Sequence, residues 1–267
     1  MNILITSDSR YLKQIEVLLK SIELNNPGKH NVYLMHRESE VMKLENVNEK
    51  VFNINYVVVD DKYLDEYPQL EKRYPVEIYY KLIAHLHLPK EIDRILYLDP
   101  DIVVKGNISE FYNYDFKDNY YVATSHVKKI FKRFNDIRLG LEKEIPYINV
   151  GVMLINLDAL RKIDIKKEID EFLEQNRYKM MLPDQDIISC LYGDKTIILD
   201  DIIYNLGERN FRRRKLCDKN VDADFVEQNV KIIHYYGRNK PWNKNYRGIL
   251  NKYYNEYESK IGERLWN

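Results

Sequence analysis

A chain of 267 residues with 45% hydrophobic and 31% charged side chains is long enough to bury a sizeable core unaided, and it has the composition of an ordinary globular protein. Its 42 basic and 42 acidic residues cancel, which removes the general electrostatic case for a nucleic-acid partner. Cys190 and Cys217 are its 2 cysteines and stand in no metal-binding spacing, so a disulfide framework is excluded.

No apolar run approaches the roughly 20 residues that span a bilayer. With the first apolar run starting beside Met1, no leader segment is expected, and the composition suits a reducing cytoplasm. The 23 tyrosines against 8 phenylalanines offer stacking faces with hydroxyls, but a general bias of composition explains them as well.

In chain order, Asn2–Thr6 reads as a short buried strand ending in small polar residues. Leu12, Ile15, Leu19 and Ile22 follow at helical spacing, and Asn25-Asn26-Pro27-Gly28 stops the helix. Residues 31–35 and 53–59 read as strands, and a helix is expected over about Val76–Leu88, ending at Pro89. The strand Arg94–Leu98 then runs straight into Asp99-Pro100-Asp101. Asn149–Asn156 is another apolar strand, a charged helix is expected over about Asp158–Asn176, and Pro183-Asp184-Gln185-Asp186 opens a further helix. Val230–His234 reads as a strand leading into Tyr235-Tyr236-Gly237-Arg238-Asn239-Lys240-Pro241-Trp242. Strand–helix alternation of this kind predicts a mostly parallel sheet covered by helices, with ligands beyond the carboxyl ends of the strands. One domain is expected over residues 1–242, followed by a helical or partly ordered tail, 243–267.

Four constellations carry possible chemistry. Asp99 and Asp101 flank a proline that stiffens the turn, and two carboxylates so placed can converge on a hard divalent cation. A turn after a strand is the plainer reading, since Asp and Pro are common there. His234, at the end of an apolar strand, can complete an Asp/Asp/His site that favours manganese over magnesium, although a lone histidine is more often structural. Gly237 would let backbone approach a phosphate, and Lys240 would supply a point charge. Asp184-Gln185-Asp186 at a helix start is explained by helix-dipole stabilisation alone, and Asp8 after the first strand by a turn.

In this order the segments Ile5–Tyr11, Leu96–Asp101, Tyr147–Asn156, Leu182–Asp186 and His234–Trp242 resemble the family 8 glycosyltransferases, a group including glycogenin and bacterial lipo-oligosaccharide galactosyltransferases. The resemblance implies the glycosyltransferase-A fold, an α/β architecture with a Rossmann-like, mostly parallel sheet flanked by helices. It also implies a retaining hexosyltransferase that moves glucose or galactose from a UDP-sugar to the hydroxyl of a glycan or glycolipid acceptor in cell-surface polysaccharide or lipopolysaccharide synthesis. Asp99, Asp101 and His234 would hold Mn2+ or Mg2+. Asp8 would contact the uracil with Tyr11 stacked beside it, and Gly237 and Lys240 would meet the diphosphate. Asn149, Asp184 and Gln185 would surround the transferred sugar.

Two positions depart from the family pattern. Lys81 stands where relatives carry arginine, replacing a planar fork with a point charge. Arg10 stands where relatives often carry a short polar residue. A sugar-nucleotide pyrophosphorylase would announce a Gly-rich basic loop near the N-terminus, and Thr6–Tyr11 holds no glycine. A non-catalytic nucleotide-sugar or glycan-binding module of the same fold is the remaining alternative. In the tail, Lys240, Lys244, Arg247 and Lys252 interleave with Trp242, Tyr246, Tyr253 and Tyr254. That pattern suits peripheral contact with a membrane surface, diluted by Glu256, Glu258 and Glu263.

Overall fold

The alternation of buried residues along each strand explains the layers of this molecule. Strand β1 (Asn2–Thr6) sends Ile3 and Ile5 to one side and Leu4 to the other, as a period of two requires. Ile3 and Ile5 pack with Leu18, Leu19 and Ile22 of helix α1 (Leu12–Asn25), whereas Leu4 packs with Leu82 and Ile83 of α2 (Tyr80–His87). The same split repeats in β2 (His30–Arg37), β3 (Phe52–Val59) and β4 (Arg94–Leu98), so a sheet lies between two helical layers. The computed structural model describes residues 1–60, 67, 76–125, 129–141 and 145–262, with the backbone alone for 129–131.

The remaining elements follow in chain order: β5 (Ile102–Val104), α3 (Ser109–Tyr112), β6 (Tyr121–Thr124), α4 (Lys129–Leu139), β7 (Asn149–Asn156) and α5 (Leu157–Leu160). After these come α6 (Ile165–Asn176), α7 (Pro183–Tyr192), β8 (Thr196–Leu199), α8 (Asp201–Tyr204), α9 (Glu208–Cys217), α10 (Ala223–Asn229), β9 (Ile232–His234) and α11 (Asn251–Ser259). Among the described residues a seven-stranded sheet runs β3-β2-β1-β4-β7-β6-β8. The β1–β4 block and the β6–β8 pair are parallel, while β7 is antiparallel to both its neighbours. The expected mostly parallel sheet is present, and β7 is where its direction reverses.

The expected helix over Asp158–Asn176 is two helices. Asn156 caps α5 by accepting from Ala159 N, and Asp164 caps α6 by accepting from Lys167 N, so two side chains compete with a continuous ladder. The helix expected over Val76–Leu88 starts with a tighter turn, Val76–Tyr79, before α2. Strand β9 pairs antiparallel with β5 in a small second sheet, matching Ile102 to His234 and Val103 to Ile233. This pairing brings two segments of the chain, 132 positions apart, to one spot. It forms the third part of the core with Leu250, Tyr253, Tyr254 and Tyr257, which α11 packs inward. Tyr253 and Tyr254, expected on a membrane-facing tail, are therefore buried. Glu263 lies outside the described residues. No helix among the described residues is long and apolar enough to cross a membrane.

Candidate metal and donor site

Asp99 leaves the carboxyl end of β4, Asp101 enters β5, and His234 closes β9 directly opposite Ile102. The expected Asp/Asp/His set is therefore one cluster, with one ligand atom from each residue within 4.8 Å of the others. His234 Nε2 stands 3.1 Å from Asp101 Oδ1 and 3.6 Å from Asp99 Oδ2. An octahedral Mn2+ or Mg2+ ion at about 2.1 Å from its ligands spaces adjacent ligand atoms by about 3 Å, so these separations suit it.

The partners of each group sharpen that fit. Asp99 Oδ1 accepts from Tyr97 Oη at 2.5 Å, and Asp101 Oδ2 accepts from Lys240 Nζ. In each carboxylate one oxygen is engaged and the other faces the imidazole. Burial opposes the ionised form of Asp101, but Lys240 and His234 outweigh it and hold its carboxyl far below the ordinary range.

A chain of hydrogen bonds fixes the histidine tautomer. Gly151 N–H can only donate, and it donates to Asn149 Oδ1 at 3.1 Å. Asn149 Oδ1 also accepts from Asn205 Nδ2, at 2.8 Å, and the same amide group donates to Thr124 Oγ1 at 2.8 Å. Asn205 Oδ1 is therefore an acceptor and lies 2.9 Å from His234 Nδ1. Nδ1 therefore carries a proton, and Nε2 is the ring nitrogen turned to the two carboxylates, the one a metal would take. Thr124 and Asn149 meet at a shift of register between β6 and β7, which aims both side chains at this point. Gly151 makes room for the cluster: a Cβ there would lie 2.3 Å from His234 Cε1 and 2.6 Å from Asp99 Oδ2.

Lys81 links this centre to the other expected site residues. Its buried Nζ pairs with Asp184 Oδ2 at 2.7 Å and approaches Asp99 Oδ1 at 3.6 Å, above the ring of Tyr97. Burial disfavours its charge, yet Asp184 and Asp99 raise its pKa well above the usual lysine value. Asp184 Oδ1 accepts from Gln185 N at 2.9 Å, and Pro183 occupies the first turn of α7, as expected. Gln185 is buried.

Asp186, two residues on, has a different environment. It is wholly buried and accepts from Arg138 through both guanidinium nitrogens, from Tyr147 Oη, and from Met181 and Leu182 N.

Asp8 follows the carboxyl end of β1 by two residues, and β1 lies parallel to and beside β4, so Asp8 and Asp99 both leave the same edge of the sheet. Its carboxylate is engaged by its own neighbour: Oδ1 caps Arg10 N and Oδ2 accepts from Arg10 Nε, each at 2.9 Å. Tyr11 meets Trp242 edge-on at 6.2 Å. Gly237 takes φ +86°, the left-handed region open to glycine, which turns the chain so that Lys240 reaches Tyr235 O and Asp101. Residues sequence reading passed over are Asn205, Gly151 and Tyr97. Tyr97 and Gly151 lay inside quoted segments, but Asn205 stands in no motif.

A family model described as "Glycosyl transferase family 8" matches residues 2–246. Among relatives, the chain is 29% identical over 196 residues to a lipopolysaccharide 1,2-glucosyltransferase of Escherichia coli, covering 71% of this chain and 56% of that protein. It is 27% identical over 252 residues to a lipopolysaccharide 1,3-galactosyltransferase of Salmonella typhimurium, covering 90% of this chain and 72% of that one. Among solved structures, the galactosyltransferase LgtC in complex with donor and acceptor sugar analogues superposes with a TM-score of 0.85 at 22% identity, covering 99% of this chain and 97% of that one. At that identity the likeness is one of fold.

Proposed function

The chain belongs to glycosyl transferase family 8, and from that premise we propose that it is a metal-dependent, retaining hexosyltransferase. In this reading it moves glucose or galactose from a UDP-sugar to a hydroxyl of a cell-surface glycan or glycolipid. The observation that carries the proposal is the convergence of three ligand atoms, Asp99 Oδ2, Asp101 Oδ1 and His234 Nε2, at the mouth of the sheet.

Asp99, Asp101 and His234 would hold a divalent cation, Mn2+ or Mg2+, which would supply Lewis-acid stabilisation of the charge on the departing diphosphate. The chain's own groups do the rest. Lys240 supplies a fixed positive charge beside Asp101, and Gly237 lets backbone approach the phosphates. Asp8 meets the base with Tyr11 beside it, sharing its carboxylate with Arg10. Asn149 spends its oxygen on Gly151 and Asn205, so its amide nitrogen is the atom left for the sugar.

Lys81 bears on how the configuration is retained. A covalent route needs a free carboxylate nucleophile, and Asp184 is tied to a buried ammonium at 2.7 Å. Front-face transfer fits this better. The bond from the anomeric carbon to phosphate oxygen breaks, the acceptor oxygen takes its place, and the acceptor proton passes to that phosphate oxygen. Asp184 and Gln185 then position the sugar, with Lys81 as positioning residue for Asp184.

Residues 1–242 carry this apparatus, and 243–267 form an appended segment whose helix α11 braces α1 and β5. Contact with a membrane surface rests on the exposed Lys244, Arg247 and Ile249 rather than on the buried tyrosines. The deciding experiment is a panel of UDP-sugars assayed for Mn2+-dependent UDP release and, with an acceptor, for the anomer formed. Silence across all donors with and without Mn2+ overturns the transferase. Trapping a glycosylated Asp184 by mass spectrometry overturns the front-face route.

A further inference from the structure

The formal charge of the chain is zero, so a cluster of one sign is a local event. Beyond the metal centre, on the far side of Tyr236, the start of α9 and the loops after β9 enclose a cleft of about 220 Å3. Four arginines line it, Arg209, Arg212, Arg238 and Arg247, with Glu208 the one acidic residue among the described lining residues.

Glu208 is occupied in holding the walls together. It accepts from Arg212 Nε at 3.1 Å, from Tyr246 Oη at 3.1 Å and from Leu250 N at 3.2 Å. A Cβ on Gly248 would lie 2.1 Å from the Glu208 carboxyl carbon, and Gly248 adopts φ +152°, so only glycine lets this strap close over the acid. Asn239 ties the two loops together, donating to Arg247 O at 2.8 Å and accepting from Arg247 N at 3.0 Å. The backbone of the cleft is thus set before any ligand arrives. Arg209, Arg238 and Arg247, by contrast, make no ion pair with a described residue.

We infer that this cleft binds a phosphate monoester carried by the acceptor saccharide, an inference that rests on the transferase reading above. Three arginines without a described ion-pair partner in the lining of one cleft suit the tetrahedral, multiply charged oxygens of a phosphate, which guanidinium groups bind bidentately. The donor's own diphosphate is drawn elsewhere, to the metal ligands and Lys240, whose Nζ points to Asp101. Tyr236 lies between the two anion sites, 5.3 Å edge-on from His234, with its ring seated over Gly207. A second anion on this side belongs to the other substrate. The acceptor hydroxyl would then be held by a charge at its rear while its reactive face meets the donor, which lowers the entropic cost of alignment.

The test is phosphate binding by the full chain at low salt with a chelator present, followed by calorimetry with inorganic phosphate, glucose 6-phosphate and glucose. We expect saturable binding of both phosphates and none of glucose. Arg209→Gln/Arg247→Gln should weaken it at least tenfold at unchanged thermal midpoint and Mn2+ affinity, and Arg238→Gln should weaken it independently. Lys240→Met should leave it intact, which separates the cleft from the diphosphate site. Absence of binding in the wild type, or equal binding by the arginine variants, overturns the inference. So does the alternative in which phosphatidylglycerol vesicles bind and hexose phosphate does not, with the same arginines required; the cleft then faces a lipid headgroup. Because neither metal nor UDP-sugar is present, a chain that binds phosphate but releases no UDP sinks the transferase reading and spares the anion site.

Discussion

Two groups of buried charge lie close to α7, and they have opposite characters. Around Asp186, every lone-pair direction is spoken for: two guanidinium nitrogens of Arg138, the hydroxyl of Tyr147 and two backbone amides converge on one carboxylate. Around Asp101, one oxygen of each carboxylate and one nitrogen of the imidazole are left facing one another. A satisfied cluster holds the fold, because any change leaves a partner bare. A cluster with convergent unused acceptors is poised for a cation and adds little to stability before one binds. Charge and burial alone do not separate these cases; the count of unused lone pairs does.

The strongest test of the contrast is to damage each cluster and read both activity and stability. Asp101→Asn and His234→Ala should cut Mn2+-dependent UDP release on the order of a thousandfold or more, as removal of a Lewis acid worth several kcal/mol demands. Both variants should still unfold cooperatively in urea. Turnover near the wild-type rate in either one breaks the comparison at its functional end. Asp186→Ala should do the reverse, destabilising the protein by about 3–5 kcal/mol because the Arg138 guanidinium, 11% exposed, is left without its partner. A change below about 1 kcal/mol in urea unfolding would show that the Asp186 network is ornamental.

A third buried group, His85 on α2, sharpens the comparison because it has neither a carboxylate partner nor a hydrogen bond to Nδ1. Burial, aided by the nearby Arg161, pushes its pKa down to about 4. The unfolded chain, with an ordinary value near 6.5, takes up a proton that the folded chain refuses between these limits. Stability from this group is complete above about pH 6.5 and falls as the pH drops towards 4, by up to about 3 kcal/mol. Urea unfolding at pH 7 and 4.5 should show His85→Gln losing less stability than the wild type. Equal losses would mean that the imidazole is not the group responsible.

The candidate metal ligands were legible in the sequence for different reasons. Asp99 and Asp101 announce themselves locally, since a strand whose last four residues are apolar or aromatic ends in a proline-stiffened turn. His234 was the weaker candidate, marked only by its place at the end of an apolar strand before a glycine-containing loop, and its position in an ordered set of segments resembling one family is what raised it above a structural histidine. On local grounds Asp184 and Asp186 were indistinguishable, because both sit in a first helical turn where the dipole favours any carboxylate, and only the family resemblance singled out Asp184. Which faces Lys81 and which Arg138 is decided by tertiary packing. Strands β6 and β8 escaped notice at four residues each, too short for alternation to register. The tail's basic–aromatic pattern suggested a surface role, yet Tyr253 and Tyr254 face inward because α1 and β5 leave an apolar face to be covered.

Asn205 shows most clearly what a sequence cannot announce. It lies between Tyr204 and Leu206 with no recurring spacing around it, and its importance comes from three contacts to residues 29 or more positions away. Its oxygen holds the proton of His234 on Nδ1; without it, the imidazole can turn or adopt the other tautomer and withdraw its lone pair from the metal. Partners of this kind typically cost 10–100-fold in metal affinity when removed. Asn205→Ala should therefore weaken Mn2+ binding by about that factor, measured by electron paramagnetic resonance titration. Nitrogen-15 spectra of the metal-free protein should show His234 losing its Nδ1–H form, whereas Asp186→Ala leaves that tautomer alone. A variant that keeps both the tautomer and the affinity would move the orienting role from Asn205 to the packing of Gly151 and Tyr236 against the ring.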